Sequence, residues 1–82
     1  MPAYATRGGN VTFNVGANRS VFIYSQETTD ITVNGGAGST TYLSGQIGNL
    51  NINGGTLNVG APPGVNGQIQ VTYANSGQTY SV

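Results

Sequence analysis

One pattern constrains this chain more than any other. Two apolar residues flanking one polar residue recur at near-constant spacing: Phe13/Val15, Ile31/Val33, Leu50/Ile52 and Ile69/Val71. From Val15 to Val33 is 18 positions, then 19 to Ile52 and 19 to Val71. Side chains that alternate apolar and polar suit a half-buried strand, because successive residues of a strand point to opposite faces. No stretch carries the 3.6-residue period of a helix, and the abundant Gly, Asn, Thr and Val are poor to middling helix formers.

Other alternating segments fit between these pairs. Val11 joins Phe13 and Val15, and Val21 and Ile23, with Ser25 in line, share one face with Phe22 and Tyr24 opposite. Tyr42 or Leu43 marks a further strand, Leu57 and Val59 another, and Tyr73 extends the run of Ile69 and Val71. Thr79 to Val82 adds an eighth. Turn signals separate them at Asn34-Gly35, Asn53-Gly54 and Asn66-Gly67, where Asn and Gly accept the positive φ of tight turns. The Pro62-Pro63 pair marks a loop, since proline cannot lie in a central strand.

The class expected is therefore all-β. A small antiparallel β-sandwich or barrel of about eight short strands accounts for the spacing. The alternative is a short β-solenoid with four coils of 18–19 residues, each stacking its apolar face on the next. The Asn-Gly-Gly shared after Val33 and Ile52 favours true repetition, whereas the drifting position of the second strand in each unit favours the sandwich. Residues 1–10, with Pro2, Gly8 and Gly9 and no apolar run, are expected to form a flexible N-terminal arm. Residues 11–82 are expected to form a single all-β domain.

Support for so short a domain is limited. Below roughly 70–80 residues a lone core is marginal, and disulfides, a metal or a partner usually help. The 82-residue chain has no Cys and no His, which removes disulfides and all but excludes structural zinc. Charged residues are only 5% of it and the formal net charge is zero. A surface of Asn, Gln, Ser, Thr and Gly suits faces covered by neighbours, so a homo-oligomer is expected, with a trimer as the leading form.

The reactive groups narrow the function further. Without His, Cys or Lys there is no ordinary general base, thiol nucleophile or Schiff-base amine, so no enzyme is expected. Glu27 and Asp30 are the sole carboxylate side chains and read as a polar link between strands rather than as a hydrolytic pair. They are too few for a calcium loop, so no metal or cofactor is expected. Gly35 to Thr40 lacks the lysine and following helix of a phosphate loop. Two arginines cannot supply the phosphate neutralisation that drives nucleic-acid binding. No run approaches a transmembrane helix and no export signal is evident, so synthesis in a host cytoplasm and no membrane partner are expected.

Of Tyr4, Tyr24, Tyr42, Tyr73 and Tyr80, Tyr4 stands out for lying in the expected arm. With Arg7 it forms the candidate interface pair. Met1-Pro2-Ala3-Tyr4, the short strands typified by Leu50-Asn51-Ile52-Asn53-Gly54-Gly55, and the lack of cysteine give a compositional resemblance. The chain resembles small structural proteins of bacteriophage virions: capsid decoration or cement proteins, head fibres and fibre modules. The resemblance implies a non-catalytic β-module, symmetric in its oligomer, that joins a larger viral capsid or fibre protein within the virion. A glycan- or ice-binding β-module is the alternative. Thr12, Thr32, Thr41 and Thr56 are the candidates for the ice-binding form, although they make no regular Thr-x-Thr ladder.

Overall fold

The computed structural model describes residues 1–64 and 70–82. Seven strands follow in order: β1 (Ala3–Arg7), β2 (Asn10–Val15), β3 (Ser20–Gly35), β4 (Thr40–Asn53), β5 (Thr56–Val59), β6 (Val71–Ala74) and β7 (Thr79–Ser81). The all-β class is as expected, but the antiparallel sandwich or barrel does not form. Every pairing among the described residues is parallel. The reason lies in the turns. An antiparallel hairpin needs each strand to reverse and pair with its predecessor. Here successive segments instead face each other across the core; from β1 to the first side of β4 each bonds to the segment one circuit later, and β6 and β7 bond back to β1 and β2.

The circuit is 19 or 20 residues long through most of the chain, as in Ala3↔Phe22, Ser20↔Thr40 and Ile31↔Leu50. Each circuit has two sides. In β3 the first side is Ser20–Ser25 and the second Thr29–Gly35, with a bend and a register irregularity between them. β1 and β2 are the corresponding two sides of the first circuit, separated by Gly8 and Gly9, both at positive φ. The chain order is not the stacking order. Along the first side the strands lie β5-β4-β3-β1-β6, so the circuit holding β6 and β7 sits beyond β1 and β2, at the opposite end from β5.

That placement corrects the spacing argument. Ile31/Val33 do align with Leu50/Ile52, but Val33 pairs with Phe13 and not with Val15. Val71 does not follow Ile52 in its column; it pairs with Ala3, and Tyr80 pairs with Phe13. Ile69 and the Asn66-Gly67 turn lie outside the described residues. The expected arm at residues 1–10 is also corrected. Ala3–Arg7 is an interior strand between β3 and β6, with Ala3, Ala5 and Thr6 buried, and Asn10 opens β2. Tyr4 carries an aromatic ring on the inward parity, which gives this segment a core contact that composition alone did not reveal.

The core lies between the two sides. Val11, Phe13, Val15, Ile31 and Val33 enter from the second side; Val21, Ile23 and Leu43 enter from the first. Tyr4 and Tyr80 pack beside Phe13, with ring centroids 5.3 and 5.8 Å away. Of the alternating apolar residues that a strand reading turns inward, Leu50 is 37% exposed and Val59 87% exposed, while Ile52 and Leu57 are half-buried. All four are in register with inward residues of the neighbouring strand, and Ile52 and Leu57 pack against the core, but they lie at one end of the stack and no further strand among the described residues covers them. Val71 departs for a different reason: its parity is outward, in line with Ala3.

Candidate functional site: the outer faces and open ends

Four surfaces are available to a partner: the outer face of each side and the two ends of the stack. The outer face of the second side is a polar lattice. Outward residues are Asn10, Thr12 and Asn14 on β2, Asp30, Thr32 and Asn34 on β3, and Asn49, Asn51 and Asn53 on β4. Parallel in-register pairing stacks like on like. The Asn34 side-chain Nδ2 donates to Asn14 Oδ1 at 2.9 Å, and Asn53 Nδ2 donates to Asn34 Oδ1 at 2.9 Å. Thr79, Thr12, Thr32 and Asn51 form the adjacent column. Of the four threonines raised above, only Thr12 and Thr32 share this face. Thr41 is buried on the first side, and Thr56 lies on that side too, so no Thr-x-Thr row exists among the described residues.

The outer face of the first side is aromatic. One column runs Val71, Ala3, Phe22, Tyr42; the next runs Tyr73, Ala5, Tyr24, Ser44. Tyr24 and Tyr73 are 44% and 50% exposed, whereas Ala3 and Ala5 between them are buried. An outward alanine is covered only when the larger side chains of the flanking strands close over it, so the strip is a continuous pavement. Sequence reasoning missed it as a surface. The signal was present in Val21-Phe22-Ile23-Tyr24, where both parities are apolar. A strand with one solvated face normally alternates, so two apolar parities point to two covered or sticky faces.

The candidate pair is not brought together. Tyr4 points into the core, 5.2 Å from the ring of Tyr80. Arg7 lies on the surface, its guanidinium 4.1 Å from the centroid of Tyr73. Glu27 and Asp30 lie at the bend in β3. The Glu27 carbonyl oxygen accepts hydrogen bonds from the Ser25 and Thr29 hydroxyls at 2.8 and 2.7 Å. The Thr6 hydroxyl lies 2.9 Å from both of those hydroxyls, and the Gly8 amide donates to Thr29. The Asp30 carboxylate accepts from the Asn49 amide at 2.8 Å and so ties one circuit to the next. Among the described residues no group of three or more metal-ligating side chains occurs. The Gly35–Thr40 segment forms the turn between β3 and β4, with no helix behind it.

The two ends differ in shape. At one end β5 covers only the Thr40–Leu43 part of β4, which leaves Asn49–Asn53 as an edge among the described residues. At the other, β6 and β7 are both edges. No protein-family model, curated protein or solved structure matches this chain.

Proposed function

We propose that the chain is a short β-solenoid serving as a non-catalytic structural module of a virion, where it decorates or cements a capsid or forms part of a fibre. One observation carries the reading: at one end of the stack Leu50 on β4 and Val59 on β5 are apolar and exposed, and no further strand among the described residues lies over them. A repeat stack needs capped ends, and an unpaired parallel edge with an apolar face is a template for another chain. Desolvating this surface is cheap, because it is built from amides and hydroxyls rather than charges. The absence of His, Cys and Lys, with Asp30 engaged in holding two circuits together, supports a role without chemistry. The compositional resemblance to phage structural proteins supplies the virion setting, and a homo-oligomer, with the trimer as the leading form, is the simplest way to cover the ends.

Mass spectrometry of purified particles from a culture that makes the protein tests this reading. The chain is expected in the particle fraction, in several copies per particle. Recovery only as free protein, with no shell or fibre partner, overturns it.

A further inference from the structure

The aromatic strip on the first side offers a second, separate role. We infer that it binds an extended, neutral oligosaccharide. The strip is two residues wide, since Phe22/Tyr24 are followed by Ser20 on one flank and the bend on the other. Four strands at the usual sheet spacing make it about 15 Å long and about 7 Å wide. That footprint is well below the roughly 800 Å² per partner of a standard protein interface. It suits a few sugar rings laid end to end.

Its chemistry points the same way. Tyr73 and Tyr24 occupy one column with Ala5 between them, so their backbones are two strand spacings, about 9.5 Å, apart and their side chains flank the buried Ala5 in one line across the strip. A row of this kind offers successive sugar rings of a linear chain one surface to lie along. Flat rings take the C–H face of a pyranose, and tyrosine adds a polar edge that can meet its hydroxyls. Among the described residues neither of these two tyrosine hydroxyls has a hydrogen-bond partner, in contrast to Tyr80, whose hydroxyl accepts from the Asn75 amide. The columns end in Ser44 and Asn58, which continue the line from Tyr24 and Tyr42 with neutral polar groups. Arg7 is the one cation placed on the strip, and it stacks on Tyr73. A single cation is too little for a sulfated or phosphorylated ligand, which selects a neutral one. This inference does not rest on the virion reading: a free monomer would carry the same strip.

The probe is cellohexaose, titrated into the intact wild-type chain and followed by amide chemical shifts. Mannohexaose and chitohexaose serve as neutral comparisons and a sulfated oligosaccharide as the charged one. Saturable shifts are expected with at least one neutral hexasaccharide, confined to β1, β6 and the first side of β3 and β4. Tyr24→Ala and Tyr73→Ala should each weaken binding about tenfold, the usual cost of truncating an anchor residue. Tyr24→Phe should retain most of the affinity, and Thr32→Ala, on the opposite face, should leave it unchanged. The shift mapping needs no variant, so a misfolded mutant does not spoil the test. No binding of any neutral hexasaccharide, shifts on the Thr/Asn face instead, or preference for the sulfated probe overturns the inference.

Discussion

Gly45 is exposed, yet its replacement by alanine should be among the most damaging single changes in the chain. β3 passes from its first to its second side between Ser25 and Thr29, whereas β4 does so between Gly45 and Ile47, two residues sooner. The tighter corner depends on Gly45 at φ +97°. Holding an alanine at such a φ costs about 1–2 kcal/mol. The added Cβ would also overlap the Ser25 carbonyl oxygen and lie 2.8 and 2.9 Å from the Ser25 carbonyl carbon and amide nitrogen. Those are backbone atoms held in a ladder, so relief requires the corner to move, at about 1–3 kcal/mol by analogy with overpacked cores. The total of about 2–5 kcal/mol rivals the whole stability of a domain this small. Gly77→Ala is the matched control. Its φ is +81° but nothing lies within 4 Å of the new Cβ, so only the conformational cost applies. The assay is urea unfolding followed by circular dichroism. With a slope of about 1 kcal/mol/M, Gly45→Ala should unfold at least about 1 M earlier than Gly77→Ala, or fail to fold. Equal midpoints with equal slopes would show that the stacked corner is not where the structure places it.

Three further outcomes follow from the packing. Thr29→Val keeps the shape of the buried corner but strips hydrogen bonds from the Gly8 amide and the Thr6 hydroxyl; a loss of about 2–3 kcal/mol is expected in urea unfolding, with faster exchange of the Gly8 amide. Asn34→Ala breaks the amide ladder in two places and should cost about 1–2 kcal/mol, whereas Ser44→Ala, exterior and outside the ladder, should be near neutral in the same assay. Ile31→Ala, at a fully buried position, should cost about 2–5 kcal/mol at any protein concentration. Leu50→Ala should cost less in dilute protein and, on the proposed assembly, more in concentrated protein, since Leu50 is 37% exposed in the single chain.

Much of the core was legible because alternation survives any strand pairing. Phe13, Val15, Ile23, Ile31 and Val33 are inward in a sandwich and in a wound stack alike, and all five are buried. Strand direction was not legible, since Asn-Gly and Gly-Gly suit hairpins and coil corners equally. What separates the two is the partner of each strand, a long-range property that spacing hints at and does not determine. The position of β6 and β7 was beyond reach for the same reason: a repeat read along the sequence assumes that chain order is stacking order, and here the last circuit sits beside the first. Residues 1–10 misled in another way. Ala3, Ala5 and Thr6 are small and only weakly apolar, and they are buried because larger neighbours cover them. Of the candidate pair, Tyr4 packs beside Phe13 and Tyr80, and Arg7 stacks on Tyr73, 66 positions away, contacts that only the three-dimensional pairing brings about.

The central claim, that this is a module completed by neighbours, is tested most directly by the mass of the folded protein in solution. Light scattering coupled to size exclusion, run from low to high micromolar concentration, reads it without a ligand or label. The account predicts a species of several times the 8.3 kDa chain mass, three times in the leading case. It also predicts that Val59→Asn with Leu50→Asn shifts this species toward the single chain while the β circular dichroism signal persists. A well-folded wild-type species of 8.3 kDa throughout that range would contradict it.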